Sequence, residues 1–532
     1  MNKILYYSVV LLFFLCSSCG NFLEEYSQNS SYVESVDDLE ELLLGEVYMK
    51  RNVNQLTSDG ALLYLHVMAD ESREMPIPSR VTSGIELQAW LQMFGFFTYA
   101  ENPFVNSIGT ARADRDWALF YRRISVINSI LIAAPDYVSD DEEIEAQRLR
   151  VTGECYYLRA WNYFMLANLY GAAYDKQNPN DGASVTLKLN PAVEDTKFGR
   201  ANSGRVYEQI VEDLNSAIGL LEKGSVVDSK VHVTVAAANA LLSRVYLYME
   251  QYDLAVKAAD AVKGYALYDM VNAYTPGSGT TFLTDAQPEV IYAQGNYGMN
   301  IIHTGTGGLL GSTPTVSCYS YVVSDELEKL FDDNDVRYSA FFTRSYGVEH
   351  LVCRKYHPLL QTAVAETDPI TGEKVSPVIS GQDLNEIGSI RYAEVILNKA
   401  EAQACTGDAG ATETIRQFLQ TRYYTIPAIP TSKGELIEFI RQERYKELCF
   451  EGHRWFDLRR YAVNTVHPQA ISVEHVWHTA TQTEATVAGS YILKGYDNTT
   501  KGSWMLPVPE DVINYCYPVL SNFDRLSGVT KN

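Results

Sequence analysis

The chain is short of positive charge: 43 lysines and arginines stand against 66 aspartates and glutamates, a formal net charge of −23. Surfaces that grip nucleic-acid phosphates draw their affinity from clustered cations, so that class of partner is excluded first. Cysteine is sparse and scattered. Of the eight, Cys16 and Cys19 belong to the amino-terminal leader, and none of the other six, Cys155, Cys318, Cys353, Cys405, Cys449 and Cys516, falls in a C-x-x-C pair; they lie tens of residues apart, which leaves a zinc cluster without local support. The glycine run Gly305-Thr306-Gly307-Gly308 has no strand-loop-helix context and no Lys-Ser/Thr ending, so it reads as a loop and not as a phosphate cradle. Asp332-Asp333-Asn334-Asp335 lacks the central glycine and distal glutamate of a calcium loop and reads as a helix-end charge cluster. These patterns call for no cofactor and no metal. What is present in quantity is apolar material, 46% against 20% charged, enough for a large buried core. The 37 tyrosines permit a sugar- or peptide-binding surface, because the ring is amphipathic and cheap to immobilise.

Catalytic constellations are missing in the same way. Glu451-Gly452-His453 sets a carboxylate beside an imidazole, but it follows a segment dense in Arg441, Glu443, Arg444, Lys446 and Glu447 and reads as an ion-paired structural corner. His475 and His478 would share a metal only on a helix, and their flanks are not helical in pattern.

The amino terminus fixes an expected compartment. After Lys3 an apolar run from Ile4 to Leu15, too short to span a bilayer, ends in Leu15-Cys16-Ser17-Ser18-Cys19-Gly20. This resembles the lipobox of bacterial lipoproteins: residues 1–18 would be a signal peptide and Cys19 the lipid attachment site. No second apolar run long enough to cross a bilayer is expected, so a body of residues 19–532 would be held to the membrane by lipid.

Apolar residues recur at helical spacing from about 111 to 263. Trp117, Phe120, Tyr121, Ile124 and Ile127 form one stripe; Leu149 to Ala167 form a second, closed at Gly171; Ala238 to Met249 and Tyr252 to Val262 form a hairpin that looks like one tetratricopeptide repeat. From about 264 to 388, Gly, Thr, Tyr and Pro predict irregular loops with short strands. Helices resume at Arg391, with Gly407 as a cap, then near 411–422 and 434–450. The predicted fold class is mostly α: a tetratricopeptide-like helical scaffold, about 111–263 and 389–460, interrupted by a large loop-rich insert with short strands.

The most specific segments are Arg391-Tyr392-Ala393-Glu394 through Ala402, the run from Glu443 to Arg460 containing Phe450-Glu451-Gly452-His453-Arg454-Trp455-Phe456-Asp457, and Trp504-Met505-Leu506-Pro507 with Asn522. With Phe22-Leu23-Glu24 after Cys19, Leu158-Arg159-Ala160-Trp161 and Asp335-Val336-Arg337, this order resembles the SusD/RagB family of nutrient-binding outer-membrane lipoproteins of the Bacteroidetes. The resemblance implies a single domain over 19–532, no covalent chemistry, and a lipid-anchored, cell-surface position in the outer membrane. It further implies partnership with a SusC-like TonB-dependent transporter and capture of a glycan or, in some branches, a peptide. The motif residues Glu451, Trp455, Asp457 and Arg459 are then scaffold.

Sugars stack C–H faces on aromatic rings and hydrogen-bond carboxylates, amides and arginine, so the ligand face is sought outside those motifs. Trp117, Trp161, Trp455 and Trp504 read as core, leaving Trp90 and, as a further candidate, Trp477. Taking 60–110 and 264–388 as the ligand face, as the resemblance implies, Trp90, Tyr99, Tyr297 and Tyr319 are the expected stacking platforms, and Asp70, Arg73, Asn102 and His303 the hydroxyl-binding partners. Two other function classes stay open: a lipid-anchored glycoside hydrolase, with two carboxylates about 5 to 9.5 Å apart, and a protein-binding scaffold.

Overall fold

The computed structural model describes residues 33–48, 62–75, 85–275, 282–283, 287–293, 321–344, 351–353, 355, 366–367, 374–375, 387–479 and 486–532, with backbone only for 85–89, 366–367 and 374–375. Cys19, Tyr297, His303 and Tyr319, with the glycine run at 305–308, lie outside the described residues.

Twelve helices of seven residues or more carry the described fold: α1 Val36–Glu46, α2 Ile85–Phe97, α3 Asp116–Ala133, α4 Glu142–Tyr170, α5 Ser203–Leu221, α6 Val235–Tyr248, α7 Tyr252–Ala261, α8 Tyr392–Thr406, α9 Gly410–Gln420, α10 Lys433–Leu448, α11 Arg454–Ala462 and α12 Glu510–Cys516. They stack as hairpins, α4 on α5, α6 on α7 and α8 on α9, with α8 also packed on α7 and α10. Strands are short: β1 Ser72–Glu74, β2 Val290–Tyr292, β3 Tyr321–Val323, β4 Phe342–Arg344, β5 Leu351–Cys353, β6 Ile390–Arg391, β7 Val473–Thr479, β8 Thr486–Leu493 and β9 Val529–Lys531. A mostly α, tetratricopeptide-like scaffold with short strands is the observed class.

Local chemistry explains several of the boundaries. Asp141 caps α4 by accepting from the N–H groups of Glu143 and Ile144, and Thr234 caps α6 from Ala237. Gly407 closes α8 at φ 79°, the left-handed region where a Cβ is penalised. Gly171 ends α4 with φ −107° instead; there glycine is needed for space, since an added Cβ would sit 2.7 Å from the Ala167 carbonyl oxygen. Helix α3 and its 3₁₀ extension to Tyr137 are long and apolar enough in composition to cross a bilayer, which corrects the expectation that no second such run exists. Its inner stripe of Trp117, Phe120, Ile124, Ile127 and Ile130 is buried against the core. Helix α2, and strands β7 and β8 beyond the insert, were not legible in the residue pattern.

Residues of the carboxy-terminal motifs form a buried ionic lattice. Arg391 is fully buried and reaches Glu289 (2.7 Å), Glu447 (3.0 Å) and Glu451 (2.6 Å); Arg422 reaches Glu289 (3.1 Å) and Glu447 (2.9 Å). Asp335 accepts from the Arg337 N–H at the start of the short helix Val336–Phe341, and holds the same residue's guanidinium, which extends to Glu443 at 2.6 Å. Arg444 pairs with Asp457 at 2.8 Å, and Arg460 joins Asp457 (2.7 Å) to Glu401 (2.6 Å). Burial alone would raise the Glu401 carboxyl, but Arg460 and Arg441 hold it down at about 2. Arg459 donates to the carbonyls of Asn168 and Gly171, closing the end of α4. Trp455 rests on Trp504 with ring centroids 4.6 Å apart. As expected, these residues are scaffold.

Candidate ligand-binding surface

Residues 70–75 and 90–102 converge with β7 at one corner of the molecule. Strand β1 pairs antiparallel with β3, Ser72 opposite Val323, and packs against β7 of the β7–β8 hairpin, with Trp90 and Phe94 of α2 meeting Trp477 there. The link is Glu74. Its Oε1 accepts from Trp90 Nε1 at 2.6 Å and its Oε2 contacts His478 Nδ1 at 2.7 Å. Burial raises the Glu74 carboxyl, while the bonds from His478 and Trp90 work against that rise.

Neither expected stacking platform within the described residues is a free surface. Trp90 is 6% exposed, with one face stacked on Trp477 (4.6 Å between centroids, 18° between planes) and its N–H spent on Glu74. Trp477 is 5% exposed and is also met edge-on by Phe94, so the further candidate is covered as well. Tyr99 is 1% exposed; its hydroxyl donates to the Met68 carbonyl at 3.0 Å, and its ring lies against His475. Large rings supply more apolar area than any nearby residue, and here the corner uses that area to join three segments.

His475 lies between the rings of Phe97 (4.0 Å, 1°) and Tyr99 (5.2 Å, 15°), with its nitrogens on the carbonyls of Phe97 (2.8 Å) and Ala69 (3.1 Å). Burial pushes its pKa down to about 4. His475 and His478 therefore stand on a strand with separate partners, and among the described residues no group of three or more His, Cys, Asp or Glu is arranged to hold a metal.

The expected polar partners divide. Asp70 forms a two-pronged pair with Arg454 at 2.7 Å for each bond; burial alone would raise its carboxyl, but the guanidinium holds it below the usual range. Arg73 remains about one-third exposed and pairs with Asp325 at 3.0 Å. Asn102 is exposed, its side-chain oxygen accepting from the Phe104 N–H at 3.0 Å. Beneath them lies Glu71, fully buried, with one oxygen accepting from the Phe450 N–H at 2.8 Å; burial raises it to about 8. That bond secures Phe450 at φ 60°, uncommon for a side chain with a ring. The Glu451–His453 pair is structural. Glu451 is held by Arg391 and Lys355, and His453 is buried against Arg444, its pKa pushed well down by burial and by the surrounding cations.

On the other side of the Asp70–Arg454 pair an open groove of about 480 Å³ runs along α10. Phe439, Tyr445 and Tyr461 supply rings; Glu326, Glu435, Glu438, Gln442 and Gln469 supply acceptors and amides. Sequence reading missed it because its walls come from segments over a hundred residues apart. The one local signal was the outward row Glu435, Glu438, Gln442 beside Phe439 on a helix otherwise committed to the lattice.

Comparison with known proteins gives one consistent answer. Residues 22–247 match a family described as SusD-like, starch-binding associating with outer membrane, and residues 372–522 match the SusD family, SusD_RagB. SusD-like protein P2 of Formosa agariphila is 22% identical over 377 residues, covering 65% of this chain and 70% of that protein. A SusD-like carbohydrate binding protein from Bacteroides vulgatus superposes with a TM-score of 0.60 at 19% identity, over 92% of this chain and 98% of that one. A laminarin binding SusD-like protein does so with a TM-score of 0.54 at 21% identity, over 92% and 96%.

Proposed function

The chain belongs to the SusD/RagB family of the Bacteroidetes, and on that premise we propose that it is a lipid-anchored, cell-surface protein that binds oligosaccharides and passes them to a SusC-like TonB-dependent transporter. The observation that carries the reading is the pair of family matches at the two ends of the chain, joined in one structure by Arg244 on Glu394 and by Arg459 on the carbonyls of Asn168 and Gly171. Carbohydrate binding named for two structural relatives supports a glycan as the ligand. The buried acids of the motif region are consumed by arginine and lysine, which fits a binding scaffold better than a hydrolase. The ligand face is assigned to segments 60–110 and 264–388, as one part of a single domain over 19–532.

The test is a screen of purified mature protein against oligosaccharide and peptide libraries, with product analysis of every binder. Saturable glycan binding without turnover is expected; cleavage products, or binding of peptides alone, would replace the reading. Anchoring has its own check. Cys19→Ala should release the protein from the membrane fraction, because the acyl chains are its main apolar attachment. Retention of that variant, with no acyl chain on the parent by mass spectrometry, would end the lipoprotein assignment.

A further inference from the structure

Resting on the glycan reading, we infer that the groove along α10 is an oligosaccharide subsite selective for neutral over acidic sugars. Its polar wall holds a buried donor without a partner among the described residues. Arg441 is 3% exposed; Nε donates to Glu401 (2.9 Å) and Nη1 to the His467 carbonyl (2.7 Å) and Gln469 (2.9 Å), while Nη2 has no partner among the described residues. An unpaired guanidinium N–H is costly to bury, so an acceptor entering the groove, a sugar hydroxyl or the water it displaces, is favoured there.

The groove also has a ring available. Arg454 covers Tyr445 at 3.8 Å and Arg441 covers Tyr461 at 4.2 Å, whereas Phe439, half-buried against the apolar core of α8 to α10, meets no cation and no aromatic ring among the described residues. A sugar C–H face has one apolar surface to meet, and hydroxyl acceptors stand beside it. Gln442 is exposed on the same helix, and Glu438 uses one oxygen on His467 Nε2 at 2.8 Å.

Charge then selects among sugars. Arg441 shares Glu401 with Arg460, and Arg454 pairs with Asp70, so both guanidiniums are engaged by carboxylates while the acids of the rim stay open. Glu326, Glu435 and Glu438 leave the rim negative on a chain already at −23, and uronates or sulfated sugars are repelled. Through Asp70 the groove adjoins the corner where residues 70–75 meet β7.

The experiment uses the mature protein and matched oligosaccharide pools: neutral β-glucan, α-glucan, mannan and xylan fragments, against polyuronate and sulfated fragments. Neutral fragments are expected to bind, and Phe439→Leu and Glu438→Gln each to weaken the best one at least tenfold by calorimetry, with melting temperature unchanged. Neutral binding unaffected in both variants would remove the groove while leaving the glycan function standing. A preference for acidic fragments would overturn the selectivity and with it the inference. Absence of binding to any saccharide would overturn the glycan reading itself.

Discussion

The carboxy-terminal lattice and the aromatic corner around Trp90 solve one problem, joining distant segments, with opposite materials. In the lattice, arginines such as Arg391 and Arg422 reach carboxylates from several elements, and their buried charges are answered by opposite ones. In the corner, rings do the joining: Trp90 on Trp477 and His475 between Phe97 and Tyr99, with Glu74 as a polar link from β1 to α2 and β7. A buried charge demands a partner, so a dense alternation of Arg and Glu on helices announces its own role. A ring demands only cover, and many surfaces can supply it.

The sharpest way to break this contrast is to delete one charge. Arg391→Ala leaves Glu289, Glu447 and Glu451 short of a partner and should cost at least about 3 to 5 kcal/mol, or prevent folding, by chemical denaturation. A loss under about 1 kcal/mol would show that the lattice is an assembly of independent pairs. Next is Trp90→Ala. The expectation drawn from an exposed platform is an unchanged melting temperature; burial on Trp477 now predicts a loss of roughly 3 to 5 kcal/mol, comparable with Trp455→Ala. Trp90→Phe keeps most of the ring and should lose less, with the Glu74 bond as the difference.

The pH response should also separate the two regions. Glu71 titrates at about 8 when folded and near 4.5 when unfolded, so between those values the folded chain holds the extra proton and stability falls as pH rises. Glu71→Gln should abolish that fall, and its melting temperature should gain on the parent as pH climbs from 5 to 8. Glu401 has the opposite sign: its folded value of about 2 gives stability that is present above pH 4.5 and lost as pH falls toward 2. An unchanged pH profile in Glu71→Gln would mean that this carboxyl is solvated. The smallest effect is expected of Arg73→Ala, whose pair with Asp325 is exposed; stability should move by less than about 1 kcal/mol, so any loss of glycan affinity would report contact with the ligand.

Much of this molecule was legible residue by residue. The stripe from Trp117 to Ile127, the hairpin of α6 and α7, the left-handed cap at Gly407 and the cap-and-clamp of Asp335 and Arg337 depend on neighbours within a few positions. Of the site, the sequence drew Asp70, Arg73, Trp90 and Tyr99 into one region, and the structure does gather them. Their exposure was another matter. Whether Trp90 faces water depends on Trp477 and on the Glu74–His478 bond, which joins residues 404 positions apart. The α10 groove likewise exists only because Glu326, Glu438 and Gln469 arrive from separate segments. The sequence by itself determined helix periodicity, caps and the ionic motifs, because those follow from backbone geometry and the obligation of a buried charge to find a partner. Only the tertiary structure decided which rings are covered and where a cleft remains, because covering surface is non-directional and goes to whichever distant segment the fold brings alongside.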